Sequence, residues 1–312
     1  MTGPTHLTSV TTARPSVKVR APGKVNLSLH VGPRDEDGYH PLITVFQAVS
    51  LYEEVVAVEA DSFSLTVTGP GAEHVPVDDT NLALRAARAL ADRTGVSRGA
   101  LLEITKGVPV AGGMAGGSAD AAATLVALDT LWGTGLSREE LSEVAATLGA
   151  DVPFALQGHT AVGTGRGDVL TPAMVRGTFH WAFALRSEGL STPAVFRHFD
   201  ELVARGRDLA PDADTAVMAA LRAGDATRLG LALSNDLQGP AIDLAPDLAE
   251  TIGAAANAGA LGVVVSGSGP TVAALGRSHQ HALAIAAAMT VAGVCESAVC
   301  ASGPVPGARV IL

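Results

Sequence analysis

The amino-acid sequence predicts an α+β protein with strands and helices in both halves of the chain. Hydrophobic residues make up 47% of the 312 residues and charged residues 17%, which leaves enough apolar material for a large core. Residues 17–31 alternate between apolar and polar side chains as a strand does, whereas residues 80–94 repeat apolar side chains at helical spacing. Both kinds of pattern occur on either side of a stretch rich in glycine and arginine at 163–177.

The first half is predicted to contain strands and helices in mixed order. Strands are expected at 17–31, with an interruption by the Pro22-Gly23 bend, and at 43–58, 64–67 and 101–105. Helices are expected at 80–94, 119–132 and 137–148. The last of these begins with Ser137 and Glu140, which have the spacing of a capping box, and it ends before Gly149.

The second half is predicted to follow a junction within 163–177. A strand at 181–185 precedes helical patterns that reach about residue 233. Short strands at 262–265 and 271–275, a helix and a last strand at 309–312 complete the chain. The predicted units are a disordered N-terminal tail (1–16), an N-terminal domain (17–170) and a C-terminal domain (171–312).

Composition argues against several classes of protein. The net charge is -10, so no basic face for nucleic acid is expected. The longest apolar stretch, 282–295, is too short to span a bilayer, and the polar residues 1–16 lack the apolar segment of a signal peptide. Cys295 and Cys300 have neither zinc nor disulfide-framework spacing, which favours reduced thiols in a cytoplasmic protein. The sequence contains no run of charged residues and no amphipathic segment that would indicate a protein partner.

A glycine-rich segment at 107–118 runs directly into a predicted helix. Such a loop predicts a phosphate site, because the first N–H groups of a helix have no partner within the helix and point at an anion. Gly112 and Gly117 have the spacing of a Walker A loop, but Ser118 stands where that loop has its lysine. The alternative is a flexible turn in which Ser118 only caps the helix.

Three segments together resemble the GHMP kinase superfamily. They are residues 21–27 (APGKVNL), 109–122 and 266–269 (SGSG), in the order and spacing of that family. The resemblance covers the chain from about residue 17 to its end. It implies a two-domain GHMP kinase fold that binds ATP, Mg²⁺ and a small-molecule substrate in the cleft between the domains.

Further segments resemble the members of this superfamily that phosphorylate an alcohol carrying a cytidine diphosphate. They are residues 37–42 (DGYHPL), 148–154 (LGADVPF) and 235–237 (NDL). Other GHMP kinases, a nucleotide-binding sensor without activity and a pure interaction protein are the alternatives. The GYH segment argues against the first, and the presence of both Lys24 and Asp151 argues against the second.

The resemblance assigns catalysis to Asp151 and Lys24. Asp151 is expected to be the general base that accepts the proton of the substrate hydroxyl. On sequence alone Asp151 is as readily a helix N-cap. Lys24 is expected beside Asp151 and the transferring phosphate, where a cation offsets developing charge; otherwise it is a solvated surface lysine. Asn26, two residues along the strand, is expected to hold the substrate alcohol.

The resemblance also assigns three residues to the cytidine end. Tyr39 and Phe196 are expected to sandwich the cytosine, because a flat base stacks on aromatic rings. His40 is expected to bond the edge of the base. Core packing is the competing explanation for each of them.

ATP is expected to contact two groups of residues. Asn81, Leu82 and Lys106 resemble the adenine side of the family's site, and Ser118 is placed near Mg²⁺. The phosphates are assigned to the loop residues Pro109, Ala111, Gly112, Gly113, Met114, Ala115, Gly116, Gly117, Ser118 and Ala119.

Two further groups of residues belong to the resemblance. Gly267, Ser268 and Gly269 are expected to cover the phosphates or the acceptor. Asp120 resembles an Asn/Asp position of the family. The loop departs from the family pattern where Ala115 replaces a glycine and where Ala119 replaces a serine, so Ala115 must have a conformation that alanine tolerates.

Overall fold

The computed structural model describes residues 14–36, 38–110, 112–206 and 214–311. The strands are β1 (Ser16–Val31), β2 (Leu42–Ala60), β3 (Ser64–Thr68), β4 (Gly99–Thr105), β5 (Thr160–Thr164), β6 (Val169–Pro172), β7 (Phe179–Leu185), β8 (Ser234–Asn235), β9 (Gly262–Val265), β10 (Val272–Gly276), β11 (Ser297–Gly303) and β12 (Arg309–Val310). The helices are α1 (Leu82–Thr94), α2 (Gly116–Trp132), α3 (Arg138–Leu148), α4 (Val152–Gln157), α5 (Thr192–Ala204), α6 (Thr215–Ala223), α7 (Ala226–Ala232), α8 (Gln238–Leu244), α9 (Asp247–Asn257) and α10 (His279–Val291).

Within the described residues the strands form two sheets. The first has the order β12-β1-β2-β4-β3, with β5 and β8 paired to β2 and β1 and with β6 paired to β5. The second has the order β11-β7-β10-β9 and is antiparallel throughout. The α+β fold class is confirmed.

The predicted domain boundary at residue 170 falls inside β6, just before the chain passes to the second sheet. However, β8 and β12 return from the second half of the chain to pair with β1 of the first sheet. The proposed tail, residues 1–16, lies outside the described residues except at its end, where Ser16 already begins β1.

β1 passes through Pro22 and Gly23 without the predicted interruption. Its pairing with β2 instead shifts register between these two residues, because proline has no N–H to donate to the ladder. A β-carbon at Gly23 would lie 2.9 Å from Val108 Cγ1, so glycine lets the strand approach the glycine-rich segment. Bulges redirect the side chains that follow them, and the next residue here is Lys24.

α2 is buried on nearly every side. Ala121, Ala122, Ala123, Leu125 and Leu128 are fully buried in the core that also contains β1, β2 and α1. Alanine at so many positions lets the neighbouring elements approach closely, as a helix that is apolar all round requires. The start of α2, and therefore the glycine-rich loop before it, is held in a fixed place.

A second core joins the two sheets. Val25 and Leu27 of β1 pack in one buried cluster with Trp181 and Phe183 of β7. The indole Nε1 of Trp181 donates a hydrogen bond of 3.0 Å to Gln47 Oε1 on β2. The cleft described below is therefore built on a rigid junction of the two sheets.

Candidate active site

Two neighbouring cavities with a partly shared lining form a cleft beside the start of α2. The smaller, of about 350 Å³, is lined by Lys24, Asn26 and Asp151 among others. The larger, of about 710 Å³, is lined by Tyr39 and His40. Residues that line both are Leu42, Ala150, Arg166, Thr192 and Phe196.

Lys24 is a buried lysine, not the solvated surface residue of the alternative interpretation. Its side chain is almost inaccessible, and Nζ donates a hydrogen bond of 2.7 Å to Asn26 Oδ1. The Asn26 amide in turn donates to Thr44 Oγ1 at 2.8 Å. Burial lowers the pKa of Lys24, and the negative charge of Asp151 acts in the opposite direction.

Asp151 occupies the N-cap position of α4, but its side chain makes no capping hydrogen bond. The N-cap alternative therefore does not explain this carboxylate. Asp151 is half-buried and lines the same cavity as Lys24. A carboxylate that faces a cleft beside a buried cation is available to accept a proton.

The glycine-rich loop ends at Ala115, which is the N-cap residue of α2 and has no side-chain cap. The first main-chain N–H to bond within the helix is that of Ala119, to Ala115 O at 2.9 Å. The N–H groups of Gly116, Gly117 and Ser118 thus lie in the free first turn, where an anion is stabilised. Ser118 is inside the helix, so its interpretation as the capping residue is wrong.

Ala115 has a left-handed backbone, with φ of 61° and ψ of 35°. Alanine can occupy this region, although glycine does so at lower cost. Of the other loop residues, Met114 and Ala119 are fully buried in the core, and Ala111 lies outside the described residues.

Loop glycines allow close packing against other parts of the site. A β-carbon at Gly113 would overlap the carbonyl oxygen of Ser266, and one at Gly116 would lie 2.8 Å from Glu53 Oε1. Gly267 and Ser268 line the smaller cavity, whereas Gly269 packs beside Val265. Gly113 of the glycine-rich loop is thus in direct contact with the 266–269 loop.

The predicted adenine residues lie around a separate cavity of about 210 Å³. The cavity is lined by Asn81, Leu82, Lys106, Pro109 and Gly117, among others. The Asn81 side chain accepts a hydrogen bond from Ala83 N at 2.8 Å and donates one to Pro76 O at 2.7 Å. Asn81 therefore caps α1 and shapes the cavity wall through these internal bonds.

Replacing Gly117 with alanine should weaken ATP binding and raise stability at the same time. The nearest protein atom to the added methyl is Leu82 Cδ1 at 3.6 Å, an ordinary contact. Where the backbone conformation suits both residues, alanine in place of glycine stabilises a protein by about 0.4–1 kcal/mol, because it restricts the unfolded chain. The added methyl group should crowd the predicted ATP cavity at a cost of about 1–3 kcal/mol, which corresponds to a roughly 5- to 150-fold higher Kd for ATP. Titration calorimetry and thermal unfolding measure the two effects.

The matched control is Gly253→Ala in α9, where no atom lies within 4 Å of the added carbon. This variant should gain stability and keep the Kd of the wild type for ATP. Unchanged ATP affinity in Gly117→Ala would place ATP elsewhere.

Lys106 is held between two buried carboxylates, one of which the sequence analysis missed. Its Nζ lies 2.7 Å from Glu53 Oε1 and 2.6 Å from Asp120 Oδ2. Glu53 Oε2 also accepts a hydrogen bond of 3.0 Å from Gly107 N. The sequence did carry a signal for Glu53. Glu53 and Glu54 are adjacent in a strand, so their side chains must point to opposite faces of the sheet, and a sheet with one buried face then buries one of them.

This cluster has one cation for two carboxylates. Burial, followed by the charge of Asp120, raises the pKa of Glu53 to about 8. Although burial lowers the pKa of Lys106, the two carboxylates outweigh it and raise that pKa. The raised pKa of Glu53 means that this carboxyl takes up a proton more readily than an ordinary glutamate, which offsets the excess negative charge of the cluster.

Asp120→Asn should flatten the dependence of stability on pH. Between the ordinary pKa of Glu53, 4.5, and its folded value of about 8, the folded chain keeps a proton that the unfolded chain releases. The free energy of unfolding of the wild type therefore falls as pH rises through this window. Removing the Asp120 charge lowers the folded pKa of Glu53, so the variant should lose less stability. Chemical denaturation at pH 5.5, 6.5, 7.5 and 8.5 checks this.

Asp92→Asn is the control, because Asp92 is an exposed carboxylate on α1. Its pH curve should follow that of the wild type. Parallel curves for Asp120→Asn and the wild type would show that the cluster does not hold the proton.

The larger cavity brings the predicted cytidine residues together. Tyr39 is 54% exposed, and the guanidinium of Arg166 lies 3.6 Å from its ring centroid. His40 is buried, and its ring centroid lies 5.2 Å from that of Phe196. Phe196 therefore packs against His40 with its ring tilted by 33°, and the sandwich of cytosine between Tyr39 and Phe196 stays a prediction.

Both ring nitrogens of His40 have partners within the protein. Nδ1 lies 2.9 Å from the carbonyl oxygen of Gly32, and Nε2 lies 3.2 Å from Asp200 Oδ1 on α5. A base that bonds His40 must take the place of Asp200 or share the ring with it. Asp200 and Arg166 are two charged cleft residues that the sequence analysis did not assign to the site.

The described residues contain neither a membrane-spanning helix nor a cluster of metal-binding side chains. None of the helices in those ranges is long and apolar enough to cross a membrane. The same ranges hold no group of three or more His, Cys, Asp or Glu residues that could bind a metal ion.

Two family models match the chain. GHMP kinases N terminal domain matches residues 81–159, a span that includes the glycine-rich loop and Asp151, and GHMP kinases C terminal matches residues 217–294. Among solved structures, the crystal structure of 4-(cytidine 5'-diphospho)-2C-methyl-D-erythritol kinase has a TM-score of 0.75 at 34% identity and covers 91% of this chain and 98% of that one. L. major mevalonate kinase in complex with R-mevalonate also has a TM-score of 0.75, at 17% identity, with coverage of 94% and 97%, and shares the fold.

Curated relatives match over nearly the full length. The 4-diphosphocytidyl-2-C-methyl-D-erythritol kinase of Leifsonia xyli subsp. xyli is 54% identical over 306 residues, which are 95% of this chain and 99% of that protein. The enzyme of the same name from Thermobifida fusca is 54% identical over 95% and 98% of the two chains. The chain therefore belongs to the GHMP kinase family, in its 4-diphosphocytidyl-2-C-methyl-D-erythritol kinase branch.

Proposed function

We propose that this protein transfers the γ-phosphoryl group of ATP to the 2-hydroxyl of 4-diphosphocytidyl-2-C-methyl-D-erythritol. The products are the 2-phosphate and ADP, and the reaction belongs to the non-mevalonate route to isoprenoid precursors. The observation that carries this proposal is the position of Asp151 and Lys24, which line one cavity between the free first turn of α2 and the aromatic cavity.

Transfer is a direct displacement in this site. The 2-hydroxyl oxygen forms a bond to the γ-phosphorus, and the bond from that phosphorus to the oxygen bridging to the β-phosphate breaks, so that ADP leaves. The proton of the hydroxyl passes to the carboxylate of Asp151, which makes no capping bond that would compete for it. The reaction needs no phosphoenzyme.

Lys24 and Asn26 support the two reacting groups. The Lys24 ammonium stabilises the negative charge that develops on the transferring phosphoryl group and is effective because it is buried. Asn26 is fixed by its bonds to Lys24 and Thr44, and it holds the erythritol part near Asp151. The N–H groups at the start of α2 hold the phosphates of ATP.

The residues at the start of α2 also fit a Mg²⁺ ion that accompanies ATP. Ser118 provides a hydroxyl oxygen in the same cavity as the Asp151 carboxylate, and oxygen donors are the ligands that Mg²⁺ prefers. The lack of a dedicated carboxylate cage in the described residues agrees with an ion held largely by phosphates and water. Bound there, Mg²⁺ supplies neutralisation of phosphate charge.

The cytidine diphosphate end occupies the larger cavity. Tyr39, His40 and Phe196 contact the cytosine, and the diphosphate lies along the boundary of the two cavities. Arg166 lines both cavities, and its positive charge there supports this placement. We also place the enzyme in the cytoplasm, where its two free thiols, Cys295 and Cys300, would stay reduced.

The decisive test offers ATP with 4-diphosphocytidyl-2-C-methyl-D-erythritol, homoserine, galactose and mevalonate in parallel and follows transfer by phosphorus NMR. We expect a new phosphate ester with the cytidine compound alone. Transfer to another acceptor would keep Lys24, Asp151 and the loop in their roles but remove the cytidine pocket. ATP binding without transfer to any acceptor would favour a sensor.

A further inference from the structure

The 266–269 loop touches three separate parts of the site. A β-carbon at Gly267 would lie 3.2 Å from Lys24 Nζ and 3.5 Å from Asn26 Oδ1. Ser266 Oγ donates a hydrogen bond of 3.2 Å to Gly113 O in the glycine-rich loop. Ser268 Oγ lies 2.8 Å from Thr192 Oγ1, at the start of α5. The position of this loop therefore affects Lys24, the phosphate side and the substrate side together.

The side chain of Asn235 holds the main chain of this loop by hydrogen bonds. Its Nδ2 donates hydrogen bonds of 2.8 Å to Val265 O and 2.7 Å to Gly267 O, on either side of Ser266. Its Oδ1 accepts a hydrogen bond of 2.8 Å from Leu237 N. Only an amide offers two donors and an acceptor in one small group, so neither aspartate nor alanine can make this set of bonds.

Asn235 is itself anchored to the strand that carries Lys24 and Asn26. β8 pairs in parallel with β1, with Leu29 opposite Asn235. The next main-chain N–H, that of Asp236, donates a hydrogen bond of 2.9 Å to Leu29 O. Asn235 therefore links β1 to Gly267. Gly267 in turn lies beside Lys24 of the same strand.

We propose that Asn235 is a positioning residue for phosphoryl transfer, which sets the 266–269 loop at its working distance from Lys24 and Asn26. This inference rests on the proposed kinase function. Asn235 is half-buried and is not among the lining residues of the two cavities of the cleft, so its effect passes through the loop. Misplacing reacting groups by about 1 Å costs a factor on the order of 10² in rate.

The test compares Asn235→Ala and Asn235→Asp with the wild type. We expect kcat to fall about 10- to 100-fold in both variants, while the KM values for ATP and for the cytidine substrate change by less than about threefold. Hydrogen exchange should become faster in the peptide that covers residues 262–272 and stay unchanged at the start of α2. Asn235→Asp keeps the size of the side chain, so its kinetics test the proposal even if Asn235→Ala folds poorly.

Asp236→Ala is the matched control. It removes the bond to Val31 N from the same short segment but leaves the bonds to the 266–269 loop in place. We expect it to lower stability and to keep kcat within about threefold of the wild type.

Three kinetic results would overturn the proposal: kcat near that of the wild type in both Asn235 variants, equal kcat losses in Asp236→Ala, or higher KM values with kcat unchanged. A wild type that phosphorylates no cytidine substrate contradicts the proposed function instead. The exchange measurement needs no turnover, and unchanged exchange at 262–272 would by itself reject the role of Asn235.

Discussion

Asp151→Ala should lower kcat by about 10²- to 10⁴-fold, the usual contribution of a general base. The affinity for ATP should stay nearly unchanged, because we place the ATP phosphates at the first turn of α2, on another segment of the chain. Stability should also stay close to that of the wild type, because the Asp151 side chain makes no capping bond to α4. Steady-state kinetics, ATP titration and thermal unfolding measure these three quantities.

Asp225→Ala is the matched control. Asp225 is also an N-cap aspartate, but its side chain does accept a hydrogen bond from Arg228 N at 3.0 Å. Its loss should cost about 0.5–2 kcal/mol of stability and leave kcat unchanged. Near-normal turnover in Asp151→Ala would remove Asp151 from the role of base, and a large loss of stability there would mean that the carboxylate is structural.

Lys24→Met should lower kcat by about 10²- to 10³-fold, as expected when one preorganised donor to the transition state is removed. Methionine fills a similar space without the charge. Because burial already disfavours the charged form of Lys24, the neutral side chain should not reduce stability strongly. The measurement is kcat at saturating ATP and substrate, together with the midpoint of thermal unfolding.

Lys18→Met provides the comparison on the same strand. Lys18 is exposed and pairs with Glu54 Oε2 at 2.6 Å. Surface ion pairs contribute about 0–1 kcal/mol, so this variant should keep both kcat and stability. Similar kcat losses in the two lysine variants would show that charge on β1 acts at long range and that Lys24 has no special contact.

Much of the fold and site followed from short segments of sequence. The capping box of Ser137 and Glu140 is present, with the Ser137 side chain accepting from Glu140 N at 3.2 Å. The glycine-rich loop does lead into a buried helix. The pattern did not predict α4, β5, β6, β8, α8, α9 or β11. Most of these are short, and few residues carry too little periodicity to identify an element.

Contacts between distant segments were beyond the sequence. Asp200 bonds His40 from α5, and Arg166 stacks on Tyr39. Glu53 reaches Gly107 from 54 residues away. Each of these contacts depends on which face of an element is buried and which element lies opposite it, and neither is encoded by local spacing.

The sequence by itself identified the GHMP kinase family and the segments proposed to carry the chemistry, which contain Lys24, Asp151 and the glycine-rich loop before α2. These features sit in contiguous segments whose residue types are set by the reaction. Only the tertiary structure decided how they are held, through the Glu53–Lys106–Asp120 cluster and through Asn235 beneath the 266–269 loop. The physical reason is that buried polar groups must find partners wherever the packed sheets bring them, and those partners come from remote parts of the chain.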